Sequence, residues 1–110
     1  RRTIKMPPSS TSHTFVLIQF TDDENSKTFL DFDTIQEALD GICQIYEQKL
    51  KFTNKDQPQI IYELVDLVNY LDKLQDLSCL VFNETQKVYV PHGRDWIKSK
   101  IYMSLKRQSK

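Results

Sequence analysis

Glycine is almost missing from this chain: Gly41 and Gly93 are the only two in 110 residues. So few glycines cannot build a phosphate-cradling loop or a dinucleotide-binding turn, so the usual nucleotide signatures are excluded. The same scarcity leaves none for a tight hairpin turn between the first two strands. Cysteine is equally sparse. Cys43 and Cys79 lie far apart with no CxxC neighbour, each inside an apolar periodic segment. They read as buried, reduced thiols of an intracellular protein rather than as a disulfide or a metal pair. No apolar run approaches the ~20 residues that span a bilayer. The first fourteen residues contain no apolar core of a secretory signal. Charge of one sign is also lacking, since fifteen Lys and Arg balance fifteen Asp and Glu. That balance argues against tight autonomous binding to nucleic acid or to an anionic membrane, because both draw on a basic surplus.

What is present is a set of short periodic segments. Thr14 to Phe20 is β-branched and aromatic, the composition of a strand. Alternation puts Phe15, Leu17 and Gln19 on one face and Val16, Ile18 and Phe20 on the other. Both faces are apolar, so both should be covered. The chain's helices can cover one, and a second copy of the chain is the expected cover for the other. After the acidic stretch Thr21 to Ser26, Lys27 to Phe32 reads as a second strand, giving an antiparallel hairpin with a loose tip. Thr34 and Glu37 have the spacing of a capping box. They open a helix to about Lys51 with an apolar stripe of Ile35, Ala38, Leu39, Ile42, Ile45, Tyr46 and Leu50. Gly41 within it costs about 1 kcal/mol relative to Ala, which a close approach to the sheet would explain.

Thr53 to Gln59 reads as a loop, and Leu64 to Leu74 as a second helix. Ser78 to Phe82 and Lys87 to Val90 read as third and fourth strands, with Pro91, His92 and Gly93 breaking the sheet. A last helix begins near Asp95, with Trp96, Ile97, Ile101 and Leu105 inward. The order ββααββα predicts an α+β domain over residues 12–108, a four-stranded antiparallel sheet with three helices on one face, dimerising through the sheet. Arg1 to Thr11 is expected to be loosely attached, and residues 109–110 form a tail.

No constellation for catalysis emerges. His13 and His92 flank strands, but local spacing places no Ser or Cys nucleophile beside either. Asp22, Asp23, Asp31 and Asp33 read as solvated charge rather than a general acid and base. The strand aromatics Phe15, Phe29, Phe82 and Tyr89 invite comparison with RNA-binding sheets, yet Lys27 and Lys87 are the few basic strand positions, so packing is the better reading. The chain is therefore expected to be no enzyme and to need no cofactor and no metal.

Four stretches carry a resemblance. They are Ser12-His13-Thr14 leading into the apolar strand, Cys43-Gln44-Ile45-Tyr46-Glu47, Asp76-Leu77-Ser78-Cys79-Leu80-Val81, and Asp95-Trp96-Ile97-Lys98 with Lys100-Ile101-Tyr102. With their spacing, they resemble the enhancer of rudimentary homolog family from Ser12 to about Gln108. Arg1 to Thr11 lies outside that pattern, and the acidic loop Asp22 to Asn25 departs from it. The resemblance implies a small, non-enzymatic homodimer of ββααββα fold in nucleus and cytoplasm. It implies a scaffold that binds short segments of RNA-processing proteins, in splicing, microRNA processing, transcript elimination or small-RNA biogenesis. Direct binding of nucleic acid through the last helix, or a role as transcriptional cofactor, is the alternative, and no membrane association is expected.

The dimer interface is expected to use Phe15, Leu17, Val81 and Tyr89, with Trp96 bordering a partner groove. Thr28 and Thr34 fit a short acidophilic-kinase pattern, each with an acidic residue three positions on, and are the expected phosphorylation sites.

Overall fold

A computed structural model describes residues 12–108, and the expectations for residues 1–11 and 109–110 lie outside that range. The order is β1 (Thr14–Gln19), β2 (Lys27–Phe32), α1 (Ile35–Thr53), α2 (Leu64–Lys73), β3 (Asp76–Asn83), β4 (Val88–His92) and α3 (Arg94–Gln108). The strands form one antiparallel sheet in the order β2-β1-β3-β4, so the two-faced strand β1 is central. The fold is the expected α+β arrangement.

One face of the sheet is sealed by the helices. Thr14, Val16 and Ile18 of β1 and Leu77, Cys79 and Val81 of β3 pack there with Ala38, Leu39, Ile42 and Tyr46 of α1. Leu67 and Leu71 of α2 and Ile97 and Ile101 of α3 complete the core. The 3.6-residue spacing of those helix positions puts one stripe of each helix onto the sheet.

Three expectations change in detail. The β1–β2 connection is not loose. Asp23 Oδ1 accepts from the Asn25 amide at 2.9 Å, and Ser26 Oγ donates to Asp23 O at 2.6 Å, holding a single 3₁₀ turn at Glu24–Ser26. Side-chain hydrogen bonds there do what glycine does elsewhere. The capping of α1 is shared between two residues. Thr34 Oγ1 accepts from the Glu37 amide at 3.0 Å, but Glu37 Oε1 accepts from the amide of Asp33 at 3.3 Å rather than that of Thr34. The sheet also does not end before Pro91. β4 runs through Pro91 and His92, which pair with Leu80 and Cys79. β4 is an edge strand, and an edge has one side without ladder partners, where a residue lacking an N–H does no harm.

Gly41 answers to the close approach expected of it. A Cβ there would stand 2.5 Å from Cζ of Phe32 on β2, so the missing side chain is the space the Phe32 ring occupies.

Candidate interaction surface

The strand registers fix what lies on the face away from the helices. Phe15 is paired with Asp31 and Leu80, Leu17 with Phe29 and Ser78, and Phe82 with Tyr89. These residues point away from the core: those of β1, β2 and β3 alternate with residues that are buried or packed against it, and Tyr89 shares their face through its pairing with Phe82. The result is an apolar surface of Phe15, Leu17, Phe29, Leu80, Phe82 and Tyr89. Phe29 is 67 % exposed and Tyr89 39 % exposed, and Phe15, Leu17, Leu80 and Phe82 are half-buried. The rings of Phe15 and Phe82 lie 5.3 Å and 5.1 Å from that of Tyr89. An aromatic cluster of this kind, in water, is a surface that a partner would cover.

Polar groups edge the cluster. His13 meets Phe15 edge-on, with 4.7 Å between ring centres. Its Nδ1 is 2.9 Å from the Tyr89 hydroxyl, and its Nε2 is 4.0 Å from Asp31 Oδ1. Asp31 on β2, His13 ahead of β1 and Tyr89 on β4 thus form a row across the sheet. At the other end of the face, Lys27 and Asp76 flank a shallow hollow of about 120 Å³ beside Leu17 and Phe29.

Of the expected interface residues, Phe15, Leu17 and Tyr89 share this open face. Val81 does not: it is 8 % exposed and points into the core beneath the helices. Both phases of β3 are apolar, so alternation within β3 alone could not say which phase faces out. The residues missed, Phe29, Leu80 and Phe82, follow from the phase of β1 once the pairings are known.

Trp96 lies on the helix side, packed against the core near the β4 edge. Its ring stacks on His92 at 3.9 Å and 14°, and Lys100 Nζ stands 5.4 Å from its centre. Burial and the neighbouring Lys100 hold the pKa of His92 below the ordinary value. Next to this stack, Val81, Asn83, Glu84, Val90, His92 and neighbouring residues line a cleft of about 400 Å³. The two histidines are on opposite faces of the sheet. Thr28 is half-buried on the helix side of β2, and the Thr34 hydroxyl is engaged in capping α1.

Both cysteines are free, and burial pushes each thiol up to about 11. They are therefore poor thiolates near neutral pH. Tyr62 donates to Glu47 Oε2 at 2.7 Å and packs edge-on to Tyr46, tying the segment before α2 to α1. Among the described residues, no three His, Cys, Asp or Glu side chains are grouped to hold a metal ion, and no helix is long and apolar enough to cross a membrane.

The family model described as enhancer of rudimentary matches residues 10–110. An enhancer of rudimentary homolog of Arabidopsis thaliana is 43% identical over 99 residues, covering 90% of this chain and 91% of the relative. One from Dictyostelium discoideum is 42% identical over 96 residues, covering 87% and 96%. A more distant relative, enhancer of rudimentary homolog 1 of Schizosaccharomyces pombe, is 24% identical over 91 residues, covering 83% and 84%.

Proposed function

The chain belongs to the enhancer of rudimentary family, and on that footing we propose that it acts as a non-enzymatic homodimeric adaptor for short segments of RNA-processing proteins in nucleus and cytoplasm. The observation that carries this reading is the uncovered apolar sheet face. Two copies related by a twofold axis would set Phe15, Leu17, Phe29, Leu80, Phe82 and Tyr89 of each protomer against the same residues of the other. The interface would thus keep three of the four residues expected from the sequence and exchange Val81 for its strand neighbours. Trp96 lies on the other side of β4, away from the joint, and the cleft beside it meets the joint only at Phe82; both would remain available to a partner segment in each protomer. Two equal sites let one dimer hold two partner chains.

Direct binding of nucleic acid through α3 has weaker support. Lys98 is paired with Asp72 at 2.6 Å, and His92 and Lys100 both lie against the Trp96 ring. That leaves little of the ring for stacking a base.

The test is the double variant Phe15→Arg with Leu17→Arg. Each arginine would place an unpaired charge in the joint, so the chain should sediment as a folded monomer. Calorimetry with a partner peptide identified by pull-down should give two peptides per wild-type dimer, with weak dependence on salt. A double variant that still sediments as a dimer overturns the interface. Steeply salt-dependent retention of RNA would favour the nucleic-acid reading. Phosphorylation of Thr28 and Thr34 belongs to the same proposal. Incubation with an acidophilic kinase should label these two half-buried threonines, as read by mass spectrometry, and absence of label at both removes it.

A further inference from the structure

We infer that assembly through the open sheet face is tuned by pH at His13, and that protonating this ring tightens the pairing of two copies. The inference rests on reading that face as the self-interface.

The geometry places an oxygen near each ring nitrogen. Nδ1 lies 2.9 Å from the Tyr89 hydroxyl and Nε2 4.0 Å from Asp31 Oδ1. A neutral imidazole carries one N–H and can donate in only one of these directions, whereas an imidazolium carries two. Among the described residues, the other groups around the ring do not supply a cation. Phe15 on β1 and Phe82 on β3 are apolar, and β4 offers Tyr89. On β2 the same face carries Asp31 and, at the far end of the strand, Lys27. Asp33 continues the alternation just past β2, and Asp76 stands at the far end of β3.

In a free protomer both groups reach water, the His13 and Asp31 side chains being 33% and 66% exposed. Covering the face removes that water. With His13 neutral, each copy brings a carboxylate into the joint without a cation beside it. With His13 protonated, each brings a neutral pair whose ring has both N–H groups directed at acceptors. The assembled state therefore binds the proton more tightly than the separate chains do, and by linkage the assembly strengthens as pH falls through the histidine range. Twofold symmetry makes this count twice per dimer.

The dissociation constant can be read by diluting a mixture of donor- and acceptor-labelled full-length chains at about pH 8 and about pH 5.5, on either side of histidine titration. The wild type should bind about tenfold tighter at the lower pH. His13→Gln keeps a polar group beside Tyr89 but cannot titrate, and it should flatten the profile. Asp31→Asn, which removes the charge that rewards protonation, should flatten it too. Circular dichroism at each pH confirms that the protomers remain folded. A dimer with the same dissociation constant at both pH values overturns the inference, as does a slope that survives His13→Gln. A chain that stays monomeric at every concentration and pH removes the self-interface reading, and this inference with it, so whether any dimer forms tells the two failures apart.

Discussion

Leu77 and Leu80 lie on the same strand and face opposite ways. Leu77, 2% exposed, is sealed under the helices. Leu80 stands half-buried among Phe15, Phe82 and Pro91 on the open face. The side chains are chemically identical, and so is much of the apolar character of the two faces. What separates them is that the helices cover one face and no element among the described residues covers the other. An apolar residue on the first face contributes to folding, and under the proposed assembly one on the second would contribute to association. The hydrophobic effect does not distinguish these outcomes, because it asks only that the surface leave water.

The sharpest test of that division compares Leu77→Ala with Leu80→Ala in the monomeric Phe15→Arg/Leu17→Arg background. Leu77→Ala should cost about 3 kcal/mol in urea unfolding, the usual price of a core cavity. Leu80→Ala should cost under about 1 kcal/mol, since its site keeps access to water. Equal losses would mean that the open face is part of the folding core.

Gly41→Ala probes how tightly the covered face is packed. The new methyl meets the Phe32 ring, and overpacking of this kind costs about 1–3 kcal/mol, more than the helix gains from Ala. Combining it with Phe32→Leu should recover part of the loss, giving a measurable coupling in a double-mutant cycle. Additive losses would show that the ring is not the obstacle.

Thr34→Ala acts at the edge of the same layer. Losing the hydroxyl that accepts from the Glu37 amide should cost ~1 kcal/mol, while Thr34→Ser should be nearly silent. A silent Thr34→Ala in thermal unfolding would argue that Glu37 and Asp33 hold the helix start alone.

The smallest expected effect divides the two histidines. His92 is on the covered side, and burial with Lys100 nearby lowers its pKa. The unfolded chain then binds the proton more readily than the folded one. The stabilising contribution of neutral His92 is complete above the ordinary histidine value, about 6.5, and is lost as pH falls from there through the lowered folded value. His92→Gln should reduce that acid loss, as read from urea midpoints across the range. His13, on the open face, acts in the opposite sense and on assembly instead of folding. If His92→Gln leaves the acid profile unchanged, the stack on Trp96 tolerates an imidazolium.

Most of the architecture was legible in the sequence. β-Branched and aromatic composition marked β1, the 3.6-residue stripe marked α1, and Thr34 marked the start of α1 to the residue. The open face was legible through Phe15 and Leu17 of β1 and Tyr89 of β4. Val81 was misplaced because Cys79, Leu80, Val81 and Phe82 are all apolar, so period two carries no phase there. The run through Pro91 was missed because a proline breaks a central strand but not an edge strand, and only the strand order makes β4 an edge.

The sequence by itself determined that residues 12–108 make four strands and three α-helices, and that β1 carries more apolar surface than one layer can hide. Those are local properties: propensity, capping and periodicity act between residues a few positions apart. The tertiary structure decided which phase of β3 faces the helices, and why Gly41 has no side chain. It also decided that Asp31, His13 and Tyr89 line up across the sheet. Each of these depends on contacts between residues distant in the chain, whose pairing is selected by how the whole core packs and by nothing within any one segment.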